Sequence, residues 1–302
     1  MRAIVAAPDT PEGFRLTEVP NPVPGPGQVL VEVRHAAVNA GEIRHLGVFP
    51  AGSVLGHDAA GYVARGATDG SGPREGERVV AFGAGAWARL AVFDVDSVAV
   101  VPAVVDLAEV AALPMVGLTA LRTLRTSGAL LGRRVLITGA SGGVGRVAVQ
   151  LARHGGAYVV AAVGSAARGA GLAALGADEV VVGLDAITDP VDVVLETVGG
   201  PSLVTAWGLL APGGVLHSIG WASGEPAAFP VNSTFAPGPA RTLRSFGDAT
   251  AAGPDLAVLA DLVARGVLRA PVGWRGSWQR LGEAADALRG RRVAGKVVLD
   301  LD

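Results

Sequence analysis

One stretch of this chain limits its fold more than any other. Arg134–Arg153, RVLITGASGGVGRVAVQLAR, runs from an apolar segment suited to a buried strand, through a glycine-rich turn, into a helical apolar pattern that starts at Val144. The spacing Gly143-x-Gly145-x-x-Ala148 puts small residues where backbone must approach a pyrophosphate and where a helix must close onto a strand. The first turn of such a helix supplies unpaired N–H groups and a partial positive charge. Ala157–Val163, AYVVAAV, follows as a second strand. Together these features predict a dinucleotide-binding layer of parallel strands and crossover helices.

The rest of the chain divides around that unit. Upstream, Gln28–Val38, Gly61–Ala64, Arg78–Phe82, Trp87–Phe93 and Ser97–Val101 are short β-rich segments broken by Gly and Pro, which predicts mostly antiparallel structure. PNPVPGP (20–26) is a stiff connector. From about Asp106 apolar strands alternate with helical patterns: strands at Val135–Thr138, Ala157–Val163, Glu179–Val182, Val191–Leu195, Gly214–Ile219 and Thr242–Phe246, helices at Val144–His154, Arg168–Leu175 and Leu203–Leu210. The tail reads as helices Asp255–Arg265 and Arg280–Arg289, then a strand Lys296–Leu301 expected to rejoin the N-terminal β region.

Cofactor choice is legible at the end of the second strand. Sites that prefer NAD place an Asp or Glu about 20 residues beyond the glycines, on the ribose 2′-hydroxyl. Here Val163 is followed by Gly164-Ser165-Ala166-Ala167-Arg168, a hydroxyl and a guanidinium with no carboxylate to repel a phosphate. NADPH is therefore expected, with Ser165 and Arg168 at the 2′-phosphate.

Composition removes several function classes. Among 302 residues there is no Cys, which excludes a thiol nucleophile, disulfides and thiolate-ligated zinc. Twenty-five basic and twenty-seven acidic residues, without a basic block, argue against a nucleic-acid partner. No uninterrupted apolar run reaches membrane-spanning length, and MRAIVAAPDT lacks the form of a secretory signal, so the expected location is the cytoplasm.

Short-chain dehydrogenases share the Thr138–Gly145 string, but they need a closely spaced Tyr–Lys pair. The only tyrosines are Tyr62 and Tyr158 and the only lysine is Lys296, so that pair is missing. The whole layout instead resembles the zinc-free quinone oxidoreductase and enoyl reductase branch of the medium-chain dehydrogenase/reductase superfamily. The matching pieces occur in one order across nearly the full chain: AAVNAGE (36–42), LGVFP (46–50), LGHDAAGYV (55–63), GERVVAF (76–82), GAWARLAV (85–92), LPMVGLTAL (113–121), the glycine loop, LGADEVV (175–181), DVVLETVGG (192–200) and GKVVL (295–299). Asn39 stands where zinc-dependent relatives carry a Cys ligand, and only His57, in GHD, survives from their ligand set.

The resemblance implies an α/β fold: a GroES-like β-rich catalytic domain from residues 1–105 and 251–302, and a Rossmann domain, a doubly wound parallel sheet, from residues 106–250. It implies that Thr119 and the loop Gly142, Gly143, Val144 and Gly145 hold the ribose and phosphates, and that Val198, Gly199 and Gly220 hold the nicotinamide half. Lys296 is expected to reach the cofactor, and Asn39, Glu42 and Phe49 to line the substrate side. The implied reaction is hydride transfer to a quinone or to the C=C of an α,β-unsaturated carbonyl. Alternatives are a tailoring enoyl reductase of polyketide metabolism, and an NADPH-binding sensor with little turnover. Phe49 replaces a frequent Tyr of the relatives and Glu42 a frequent Asp, so no general acid is evident; His45 and His57 are candidates by pKa class. Thr242–Phe246 is the expected edge for pairing two chains into a homodimer.

Overall fold

The computed structural model describes residues 1–235 and 237–301. In chain order its elements are β1 (Arg2–Ala7), β2 (Gly13–Glu18), β3 (Gln28–Val38), α1 (Ala40–Arg44), β4 (Asp58–Arg65), β5 (Arg78–Phe82), β6 (Leu90–Asp94), β7 (Val98–Val100), α2 (Leu107–Ala111), α3 (Pro114–Thr126), β8 (Arg134–Ile137) and α4 (Gly143–His154). They continue as β9 (Tyr158–Val163), β10 (Glu179–Val182), β11 (Val191–Glu196), α5 (Gly200–Gly208), β12 (Leu210–Ser218), β13 (Thr242–Ser245), α6 (Gly253–Ala264), β14 (Val272–Ser277), α7 (Leu281–Arg289) and β15 (Lys296–Asp300). The chain forms two units, Met1–Leu118 with Ala249–Asp302, and Thr119–Asp248.

The first unit is a GroES-like β structure closed by both ends of the chain. Its larger sheet has the order β14-β15-β3-β4-β5-β7, with β6 also on β3, and β1 pairs β2 separately. The terminal strand β15 pairs antiparallel with β3, placing Val297 opposite Val38 and Asp300 opposite His35. Val31, Val33, Val79, Trp87, Trp278 and Val297 belong to one buried core in this unit. A smaller cluster, Ala37, Ala108, Ala112 and Val298, uses small side chains to seat α2 on β3 and β15.

The second unit is a parallel sheet of order β10-β9-β8-β11-β12-β13. Numbered within the sheet this is 3-2-1-4-5-6, the arrangement of doubly wound dinucleotide-binding folds. Its inner strands are apolar on both faces, as helix-covered parallel strands must be: Val135, Leu136 and Ile137 of β8 and Val193, Val194 and Leu195 of β11 are all buried.

Two expectations change. Arg168–Leu175 is not a helix but two short 3-10 turns, Ala166–Gly169 and Ala173–Leu175. Gly169 and Gly171 interrupt it, and Gly171 takes φ 78°, outside helical space. The strand expected from Trp87 starts only at Leu90, because Trp87 and Ala88 pair instead with β1, through Ile4 N–H to Trp87 O and an Ala3–Ala88 bridge. No helix among the described residues is long and apolar enough to cross a membrane.

His217 on β12 is buried, with Nε2 2.9 Å from Ser127 Oγ, while that hydroxyl donates to Thr123 O at 2.8 Å. Burial, with a contribution from Arg244, pulls its pKa to about 4. The unfolded chain takes up this proton near pH 6.5 and the folded chain only near 4, so stability is present above 6.5 and is lost as pH falls between the two values. Chemical unfolding at pH 7 and pH 4.5 should show a loss of about 2 kcal/mol from this group. The His217→Leu variant should show a flatter slope, and an identical slope would exclude the assignment.

Candidate functional site

In the parallel unit the strand order reverses between β8 and β11, and ligands of such sheets bind outside the carboxyl ends of the strands at that point. Two loops emerge there, Thr138–Gly142 after β8 and Thr197–Gly199 after β11. Gly142 is the N-cap of α4, and Gly143, Val144 and Gly145 form its first turn. A Cβ on Gly145 would lie 2.5 Å from Ala140 Cα, so glycine is what allows the helix to close on the loop. The open N–H groups and helix dipole of α4 fit the phosphates of a dinucleotide.

Glu196, wholly buried at the end of β11, locks the two loops together. Its Oε1 accepts from Thr138 Oγ1 at 3.0 Å, Val198 N–H at 3.1 Å and Ser202 Oγ at 2.9 Å, and its Oε2 accepts from Gly199 N–H at 2.8 Å. Thr138 and Thr197 add a reciprocal pair: Thr197 N–H donates to Thr138 Oγ1 and Thr197 Oγ1 to Thr138 O, both at 2.9 Å. Gly220 joins the same turn through its N–H to Glu196 O at 3.3 Å. Thr119 is buried on α3. Ser165 is exposed just past β9, and Arg168 is half-buried with Nε donating to Ser141 Oγ at 3.2 Å. The glycine loop, Ser165, Arg168, Val198, Gly199, Gly220 and Thr119 all belong to this unit.

The other unit brings Asn39, Glu42 and Lys296 together with two groups not assigned a place beside them, Asp58 and His57. Lys296, 2% exposed, donates to Asn39 Oδ1 at 2.6 Å and forms a 2.9 Å ion pair with Asp58 Oδ2. Asn39 Nδ2 donates to Asp58 Oδ2 at 3.0 Å and to Glu42 Oε2 at 3.3 Å, and Asn39 N–H donates to the same Glu42 oxygen at 2.7 Å. Asp58 Oδ1 accepts from Met115 N–H at 3.0 Å. Glu42 Oε1 lies 2.7 Å from His57 Nδ1, and the imidazole stacks on Phe82. Phe49 is half-buried against the core.

Local sequence explains this cluster. Asn39 is the N-cap of α1, with Glu42 at its third position, so the cap directs one carboxylate oxygen inward. Gly56 takes φ 89°, and a Cβ there would lie 2.0 Å from the Trp87 ring, so only glycine lets the chain turn before His57. Glu196 and Asp58 were accessible as acidic residues set within otherwise apolar strand patterns, DVVLE and GHDAAG. Such residues are rarely buried unless paired.

Replacing Glu196 by Ala leaves the Thr138, Val198, Gly199 and Ser202 donors without their acceptor. At ~1–3 kcal/mol for a buried donor left unpaired, the expected loss exceeds about 3 kcal/mol. Urea unfolding measures it, and a loss below about 1 kcal/mol would remove Glu196 from this role.

Two family profiles match the chain: "Alcohol dehydrogenase GroES-like domain" over residues 25–103 and "Zinc-binding dehydrogenase" over residues 143–252. Pikromycin polyketide synthase component PikAII of Streptomyces venezuelae is 36% identical over 161 residues, 53% of this chain and 4% of that protein. The chain thus spans only a small part of the length of the curated relatives it matches. The quinone oxidoreductase of Coxiella burnetii is similar in structure with a TM-score of 0.86 at 25% identity, over 100% of this chain and 99% of that one. The quinone oxidoreductase of Escherichia coli, solved with NADPH, has a TM-score of 0.88 at 23% identity, over 99% and 100% of the two chains.

The donor set does not fit the zinc of the second profile's name. There is no Cys, each oxygen of Asp58 and Glu42 already faces a nitrogen, and an ammonium occupies the centre of the cluster. Among the described residues no three His, Cys, Asp or Glu side chains are placed so that they could hold a metal ion. Fold and profile matches agree: the chain belongs to the medium-chain dehydrogenase/reductase superfamily, in its quinone oxidoreductase and enoyl reductase branch.

Proposed function

We propose that this protein is a zinc-independent, NADPH-dependent oxidoreductase that reduces a quinone or the C=C of an α,β-unsaturated carbonyl. The observation that carries the reading is the end of β9 beside the glycine loop, where Ser165 and Arg168 stand and no carboxylate follows Val163. NADPH, when bound, supplies the hydride. Gly142, Gly143, Val144 and Gly145 present the N-terminus of α4 to the pyrophosphate, and Thr119 contacts the ribose. Arg168, held by Ser141, meets the 2′-phosphate with Ser165. Val198, Gly199 and Gly220, fixed through Glu196, shape the nicotinamide site. Asn39, Glu42 and Phe49 form the substrate side, and Lys296 acts as a positioning residue for Asn39.

A second reading within this chemistry, a tailoring enoyl reductase, is favoured by the polyketide synthase to which the chain is similar. Acceptor preference separates the two. We also infer a homodimer in the cytoplasm. β13 is the outer strand of its sheet, all four of its residues are exposed, and an unpaired strand edge is normally covered.

Three outcomes follow from these assignments. NADPH absorbance should fall in the presence of quinones or enones, and no consumption across a broad panel of both would remove the reading. Arg168→Ala should raise the NADPH Kd about 10- to 150-fold, the value of a charge-assisted contact, while leaving the NADH Kd in place. Equal changes for both cofactors would exclude Arg168 as the 2′-phosphate contact. Light scattering should report twice the chain mass, and the single-chain mass would overturn the dimer.

A further inference from the structure

We propose that His57 is the general acid of this protein, donating its Nε2 proton to the acceptor oxygen on which negative charge collects as hydride is added. This rests on the hydride-transfer reading above and supplies the proton source that reading lacks.

Asn39 spends both Nδ2 hydrogens on Glu42 and Asp58, and its Oδ1 on Lys296. Lys296 is 2% exposed, and Asp58 is held by Lys296, Asn39 and Met115. Both oxygens of Glu42 are engaged, one by Asn39 and one by His57 Nδ1. His57 Nε2 has no partner among the described residues, is not among their buried unpaired atoms, and belongs to a side chain that is 28% exposed. It is therefore the one proton-carrying atom of the cluster that faces outward.

Charge balance points the same way. Asp58 and Glu42 bring two carboxylates and Lys296 one ammonium, so a protonated His57 makes the cluster neutral. The groups facing the imidazole are Glu42 on α1, Asp58 on β4, Lys296 on β15 and the uncharged Phe82 on β5. The Glu42 hydrogen bond raises the His57 pKa, against partial burial and with help from the charges of Glu42 and Asp58; Lys296 acts in the opposite sense. Glu42 thereby fixes the tautomer and orientation of the ring, as a positioning residue.

The step balances. Reduced nicotinamide, when bound, would supply the hydride and be left oxidised; as the acceptor gains that hydride, its π-electron pair moves onto oxygen. The Nε2–H bond breaks and an O–H bond forms, giving a hydroquinone from a quinone or an enol from an enone. The enol tautomerises to the ketone in water, and neutral His57 takes a proton from solvent.

The test compares wild type, His57→Gln and Glu42→Gln. In the protein without cofactor, NMR should show the His57 ring titrating above the ordinary value of about 6.5, and Glu42→Gln should lower that pKa. With NADPH and an acceptor, His57→Gln should lose about 10²- to 10⁴-fold in kcat with KM little changed, and the wild-type fall in kcat at high pH should disappear. An unchanged kcat overturns the assignment. Should wild type reduce no acceptor, the hydride-transfer reading fails separately, and binding of 4-nitrophenolate, an enolate mimic followed by its absorbance, decides for His57. At least about tenfold weaker binding in His57→Gln, or about 1.4 kcal/mol, supports the outward-facing acid, and equal binding overturns it.

Discussion

The ion pair between Lys296 and Asp58 is the interaction on which the GroES-like unit depends. Both side chains are almost fully out of water, and the lysine comes from the last strand of the chain while the aspartate opens β4. Removing a charge from water costs several kcal/mol, so each partner is tolerable only while the other stays in place. The pair thus makes the positions of β15, β3 and β4 interdependent at the point where Asn39 begins α1. Asn39 then passes that constraint to Glu42, and Glu42 to His57.

A different solution appears in the parallel unit. Glu196 is equally buried but is matched by neutral donors, two hydroxyls and two backbone N–H groups. Three of those donors sit on the two loops that flank the reversal of strand order and the fourth, Ser202, lies in the first turn of α5, so one carboxyl group ties both loops together at the switch point. Fixed polar groups of this kind do not have to reorganise when a charged ligand arrives, which is what makes a crevice at the strand ends useful. The cluster around Asp58 carries a formal cation and the one around Glu196 does not. The first is suited to moving a proton and the second to holding a backbone.

The donor set around Asp58 does not fit zinc, and that changes what the chain must provide. A Lewis acid stabilises developing negative charge on an oxygen without any proton transfer. In this chain the cluster that includes the GHD motif holds an ammonium instead, and that ammonium is spent on Asp58 and Asn39. In the reaction proposed above, stabilisation of the acceptor oxygen falls to the His57 Nε2–H, which suits acceptors whose charge is spread by conjugation.

The sequence by itself determined the kind of fold and the glycine turn between β8 and α4, because these depend on local patterns. GASGGVG needs small residues at fixed spacing wherever it is placed, and apolar runs such as VLI (135–137) and VVL (193–195) suit strands covered on both faces. The order 3-2-1-4-5-6 lay outside its reach, as did the break of the expected helix near Gly171 and the pairing of Trp87 with β1. Each of these is decided by which segments compete for the same partner. The polar cluster is the clearest case: Lys296 lies far along the chain from Asn39, Glu42, His57 and Asp58, and no spacing rule connects them. Only the return of β15 to β3 brings that ammonium to those carboxylates, and the high cost of leaving any one of them buried alone then settles the rest.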